Sequence, residues 1–229
     1  DDMKKWLLGA VALTAMACVS AHAAQWDGAD DLPTNPLACG TGANPAPAAK
    51  PYDGGQAKGA ADKAGKEITV VDVPKLIGIG YFNATSKGIA DAAKELGNVK
   101  ASTDGPTEAK IDEQIKFIDN YITRGVDGIL FAANDPVAIA PVLKKALGKG
   151  IHVVGYDANS TPDAREWFVN QAQFNGIAKA MVDSMAKEQG EDAAFAIVTS
   201  TFTTPNQARW IAEMHAYAEK CHPKMQWLE

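Results

Sequence analysis

The chain has 229 residues, 46% of them hydrophobic and 22% charged, which argues against a disordered segment or a membrane protein and suits a globular protein of one or two domains. Its 28 acidic and 22 basic side chains leave a net charge of -6, which argues against nucleic acid as the main partner, because neutralising phosphates needs a basic face.

In chain order, the first recognisable element is a targeting signal. Met3-Lys4-Lys5 is a positive n-region, Trp6 to Ala17 is an apolar run too short to span a bilayer, and Ala21-His22-Ala23 is a small-residue cleavage site. Residues 1–23 therefore read as a signal peptide. Cys18 does not make it a lipoprotein signal, since Ala15-Met16-Ala17 lacks the usual leucine three residues earlier. Export would place Cys39 and Cys221 in an oxidising compartment, where they either pair or stay free; nothing in the sequence fixes their distance. Residues 24–66 are rich in Ala, Gly, Pro and Asp without an apolar period, and read as a flexible or surface-draped leader.

From Glu67 onward two periods alternate. "ITVVDVPKL" predicts a buried strand, and "TSKGIADAAKELG" predicts a helix with Ile89, Ala93 and Leu96 on one face and Gly97 as its stop. "NVKAST" is a second strand, and the next helix sets Ile111, Ile115, Ile118 and Ile122 at helical spacing before Gly125. "VDGILFAAN" is a third strand, followed by a helix over Pro136 to Leu147; "IHVVGYD" is a fourth, leading through a polar stretch to the helix "NGIAKAMVDSMAKEQG". "AAFAIVTS", "PNQARWIAEMHAYAEK" and "MQWL" add strand, helix and strand. Alternation of this kind predicts an α/β fold, a doubly wound parallel sheet with helices on both faces.

Sequence signatures of catalysis are absent. Gly78-Ile79-Gly80 begins a dinucleotide fingerprint that fails at Asn83, where a third glycine belongs. His22, His152, His215 and His222 show no metal-ligand spacing, and there is no G-x-S-x-G elbow. No cofactor or metal is expected, and no enzymatic activity.

Ligands of open parallel sheets bind at the carboxyl ends of the strands. Lys75, Asn134, Asp135, Asp157, Asn206, Gln207 and Arg209 fall there or at the following helix starts. This set suits a polyhydroxylated neutral ligand, because carboxylates accept from hydroxyls while Lys, Asn and Arg donate to ring or hydroxyl oxygens. Tyr81 and Phe82 are candidates for a flat apolar wall. Each has an alternative: Asp135 before Pro136 is a natural helix cap, Lys75 a snorkelling strand end, and Asn206 a cap after Pro205. Tyr81 and Phe82 are equally core candidates, and Arg209 a partner for Glu213 at i+4.

The stretches "VPKLIGIGYF", "GIADAAKELG", "DGPTEAKIDEQIKFIDNYITRGVDGILFAANDP", "PVLKKALGKGIHVVGYDAN" and "VNQA" resemble the type I periplasmic sugar-binding proteins of ABC importers, in the branch of the autoinducer-2 and rhamnose binders. The resemblance implies two α/β lobes joined by a hinge, here 67–171 and an incomplete second lobe at 172–229, with family members continuing well past Glu229. It implies ligand contacts at Lys75 and Asp157 and a further pair at Asn206 and Gln207. An autoinducer-2 binder is expected to carry Asp-Gln there. The Asn206-Gln207-Ala208-Arg209 found instead favours a plain sugar or polyol, with Arg209 similar to the arginine of pentose binders. The implied role is a monomeric periplasmic receptor that delivers its ligand to an inner-membrane permease. The alternative is a ligand-binding subunit for chemotaxis or sensing of an autoinducer-2-like signal.

Overall fold

A computed structural model of the chain describes residues 38–40, 65–201 and 203–228. The signal peptide read at 1–23 and nearly all of the leader read at 24–66 lie outside the described residues.

Five parallel strands form one sheet in the order β2-β1-β3-β4-β5. They are β1 (Ile68–Val73), β2 (Val99–Thr103), β3 (Gly128–Phe131), β4 (His152–Tyr156) and β5 (Trp167–Val169). Helices α1 (Gly80–Leu96), α2 (Ile111–Arg124) and α3 (Ala140–Gly148) connect the first four. The chain then continues through α4 (Phe174–Gln189), β6 (Ala194–Phe195), α5 (Pro205–Cys221) and β7 (Gln226–Trp227), the two strands pairing in parallel as a second small sheet.

The α2 side of the five-stranded sheet is sealed. Val71, Val73, Ile129, Phe131 and Val153 point to it and pack with Ile118 and Ile122 of α2 and Val142, Leu143 and Ala146 of α3. Ile111 and Ile115 border that core, so the helical spacing of the isoleucines is realised. Asp72, Leu130 and Val154 are in register across the opposite face, where α1 packs chiefly against β2. Leu130 and Val154 stay only half-buried, and Trp167 and Val169 at the β5 edge are exposed.

Several boundaries differ from expectation. β1 stops at Val73 because Pro74 has no N–H to donate to a ladder. Helix α1 begins at Gly80, five residues before the expected Thr85, and thereby takes Tyr81 and Phe82 into its first turn. Ala93 is buried on its inner face, but Leu96 is exposed, because the helix ends there with Gly97 in the left-handed region at φ 76°. Gly125 ends α2 in the same way at φ 72°. Residues 136–139 form turns rather than the start of α3, and the polar stretch after β4 hides the short β5. The run at 193–200 is strand only at Ala194–Phe195, where β7 offers a ladder.

Cys39 and Cys221 are disulfide-bonded, with Cα atoms 5.4 Å apart across a sequence separation of 182. The bond ties the Ala38–Gly40 segment to the end of α5.

Candidate functional site

The order of the sheet reverses at β1: the chain leaves it for β2 on one side and returns past it to β3 on the other. Such a switch point leaves a crevice beyond the carboxyl ends of the two strands, because the helices that follow them lie on opposite faces. Lys75 follows β1 there, Asn134 follows β3, and Asp157 directly follows β4.

Three of the expected side chains meet. Lys75 Nζ donates to Asp157 Oδ2 at 2.7 Å and to Asn206 Oδ1 at 3.1 Å, and Asn206 Nδ2 donates to Asp157 Oδ1 at 3.0 Å. All three are nearly inaccessible, at 6%, 6% and 3% exposure. Gln171 Nε2 adds a bond to Asp157 Oδ1 at 2.9 Å. The cluster thus joins the ends of β1 and β4 to the first turn of α5. Asp157 holds φ at 56°, a left-handed conformation that Asp tolerates better than most residues and that turns the chain sharply after β4. Burial pulls the Lys75 ammonium below its ordinary range, against the opposing pull of the Asp157 carboxylate.

The other expected residues are distributed differently. Tyr81 is about half exposed; burial and the neighbouring Asp157 carboxylate both raise its hydroxyl pKa. Phe82 turns inward, buried at 3% exposure, with its ring edge-on to Tyr81 at 5.2 Å and to Tyr156 at 6.3 Å. Adjacent helical residues point about 100° apart, so the two aromatics do not form one wall. Asp135 Oδ1 accepts from the amides of Val137 and Ala138 at 2.9 and 2.8 Å, capping the turns before α3. Gln207 Oε1 accepts from Thr199 Oγ1 and from the Ser200 amide at 2.9 Å, and so fixes the loop after β6. Arg209 is buried, its Nε 3.2 Å from Glu213 Oε1 and its guanidinium 5.0 Å over the Phe174 ring, a link between α5 and α4.

Sequence reasoning missed Asp72, Gln114 and Gln171. Asp72 lies in β1 with no solvent exposure and accepts from Tyr156 Oη at 3.0 Å and Thr103 Oγ1 at 3.2 Å. Burial pushes its carboxyl up to about 6, although the hydrogen bonds from Tyr156 and Thr103 pull the other way. Burial and the charge of Asp72 in turn raise the Tyr156 hydroxyl strongly. A lone acid in the apolar run "ITVVDV" was the signal that could have found it. Gln114 is likewise the one polar residue on the inward face of α2.

The site is therefore a self-satisfied set of hydrogen-bond donors and acceptors that sugar hydroxyls are chemically able to replace. Among the described residues, no group of three or more His, Cys, Asp or Glu side chains is placed to hold a metal ion.

The fold is an open α/β sheet with a polar cluster in the crevice at its switch point. Residues 70–229 match the family described as periplasmic binding protein domain, and the chain belongs to that family. It is similar to an ABC transporter solute-binding protein from Clostridium phytofermentas with bound L-rhamnose, at 31% identity and TM-score 0.68, over 71% of this chain and 51% of that one. It also resembles a solute-binding protein from Burkholderia graminis in complex with D-arabinose, at 27% identity and TM-score 0.64, over 72% and 55% of the two chains. The D-ribose/D-allose-binding protein of Pseudomonas aeruginosa is 40% identical over 55 residues, 24% of this chain and 17% of that one. The chain spans about half the length of the solved relatives it matches.

Proposed function

We propose that this chain is the ligand-recognising part of a periplasmic receptor for an ABC importer, acting by capture and not by catalysis on a small neutral sugar or polyol. One observation carries the reading: Lys75, Asp157 and Asn206, contributed by the ends of two strands and the start of α5, converge as a buried donor and acceptor set at the switch point of the sheet. A sugar entering there replaces these mutual bonds with bonds to its own hydroxyls, so the cost of desolvating the site is met before the ligand arrives. Relatives with bound L-rhamnose and D-arabinose support the ligand class.

In this reading residues 1–23 direct export, 24–66 form the leader, and 67–171 and 172–229 contribute to the two lobes that close on the ligand. Lys75, Asp157, Asn206 and the Tyr81 hydroxyl contact sugar. Asp135, Gln207, Arg209 and Phe82 shape the frame around it. The receptor is a monomer that presents its closed form to a permease.

The test is a thermal-shift and titration-calorimetry panel of L-rhamnose, D-arabinose, D-ribose, erythritol and autoinducer-2 on the purified full-length protein. At least one sugar or polyol is expected to raise the melting temperature, since a ligand at 100 times its Kd adds about 2.7 kcal/mol of stability. No shift with any member overturns the reading, and a shift with autoinducer-2 alone moves the ligand class to the signal.

A further inference from the structure

We infer that Gln114 is a positioning residue for the ligand site: through Asn134 it fixes the backbone from which Lys75 reaches Asp157. The inference rests on the reading of Lys75 as a sugar contact.

The ladder between β1 and β3 ends at the pair Val73 and Phe131. Beyond it Pro74 has no N–H with which to carry the ladder on towards Lys75 and Asn134. A side chain takes over the work of the ladder. Gln114 Nε2 donates to Ala132 O at 2.8 Å on the β3 side and to Val73 O and Pro74 O, both at 3.2 Å, on the β1 side. Its Oε1 accepts from the Asn134 amide and from Asn134 Nδ2, both at 3.1 Å. Asn134 Nδ2 then donates to Lys75 O at 2.9 Å, which makes the next rung.

A carboxamide has two N–H donors and an oxygen with two lone pairs, and Gln114 uses them all on these two chain ends. Neither an apolar residue nor a carboxylate can do the same. If the position served packing alone it would resemble its neighbours Ile111, Ile115 and Ile118, which border or enter the apolar core. The arrangement also has a cost. Both partners of Asn134 Nδ2 are acceptors, so the orientation of that amide is set, and its Oδ1 is left buried without a hydrogen-bond partner among the described residues. An unpaired buried acceptor is expensive, and its retention indicates that the bonds to Gln114 and Lys75 O outweigh it. Lysine has a long flexible stem, so only a fixed Cα brings Nζ to a defined place.

The test uses Gln114→Glu, Gln114→Met and Asn134→Ala in the full-length protein. Affinity for L-rhamnose and D-arabinose is read by calorimetry well below the melting temperature, and the Lys75 ammonium by the NMR resonance of its 13C-methylated form. Gln114→Glu is expected to weaken whichever sugar binds by about tenfold or more at neutral pH, because a carboxylate then faces three carbonyls. Affinity should partly recover in acid, where the introduced carboxyl is protonated and donates again. The Lys75 resonance should move in all three variants. In a Lys75→Met background Gln114→Glu should add no further loss, as expected of a residue that acts through another. Wild-type affinity with an unmoved resonance in a folded variant overturns the inference, as does full additivity with Lys75→Met. Where the Gln114 variants do not fold, Asn134→Ala decides by the same readouts. If the wild type binds neither sugar, the sugar reading fails for these probes while the Lys75 resonance alone judges the positioning role.

Discussion

The five-stranded and two-stranded parts of the molecule are held together by different means. The first has a continuous apolar layer from Val71 to Val153 beneath α2 and α3. The second packs α4 on α5 through Ala178, Val182, Ile211, Met214, Tyr217 and Ala218, a much smaller cluster. It adds a disulfide and an ionic network in its place: Lys179 bonds Asp183, Tyr217 and Gly40 O, while His222 bridges Asp183 at 2.9 Å and Glu191 at 2.7 Å. A small core is commonly supplemented by staples, because apolar burial alone does not offset chain entropy. Polar side-chain bonds join the two parts at the site: Lys75 and Asp157 to Asn206, and Thr203 Oγ1 to Asn134 O at 3.3 Å. Polar bonds exchange readily with water or hydroxyls, unlike the apolar contacts inside each part.

The largest expected effect is at that junction. Asp157→Ala leaves the Lys75 ammonium buried without its counter-charge, and is expected to lower stability by about 3–5 kcal/mol and to abolish the binding of whichever sugar the wild type takes. Melts and calorimetry on one preparation check both, and unchanged binding would remove Asp157 from the site. Next comes the staple: Cys221→Ser should cost about 2–5 kcal/mol and speed amide exchange in α4 and α5 while β1, β3 and β4 stay protected. Equal loosening of both parts would erase the distinction drawn between them.

Acid and base titrations separate the parts further. With its folded carboxyl near 6 and an unfolded value of 3.8, Asp72 binds a proton more tightly in the folded state, so stability falls as pH rises through that window. Asp72→Asn should remove this slope and stabilise the protein at pH 7 by up to about 3 kcal/mol. In the two-stranded part, burial opposes the His222 charge, but hydrogen bonds to Glu191 and Asp183 prevail and raise its pKa above the ordinary 6.5. Its contribution is present below 6.5 and lost as pH rises through the folded value, so His222→Gln should flatten the alkaline side of a stability profile, by less than Asp72→Asn flattens the acid side. The smallest effect is at Lys87 and Asp91, an exposed i,i+4 pair on α1: Lys87→Ala should melt like the wild type.

The βα alternation was legible because strand and helix periods differ along whole segments such as β1, α2 and β4. The strand-end positions of Lys75 and Asp157 were legible because each is a charge just past an apolar strand. Gln114 and Asp72 were not, since a single polar residue inside an apolar pattern carries no period and its partners lie on other strands. The start of α1 was obscured by Gly78 and Gly80, which read as loop though Gly80 opens the helix. Tyr81 and Phe82 looked equivalent in sequence, and only the helical turn sends one outward and the other in. The pairing of Cys39 with Cys221 depends on the path of all the chain between them, which no local pattern encodes.

That pairing also changes the molecule's connectivity. Between Cys39 and Cys221 the chain is a covalent ring, and the ring carries every strand from β1 to β6. A protease that cuts once at the fully exposed Val198 therefore opens the ring without releasing a fragment. The nicked protein should run as one species on a non-reducing gel and as two after reduction.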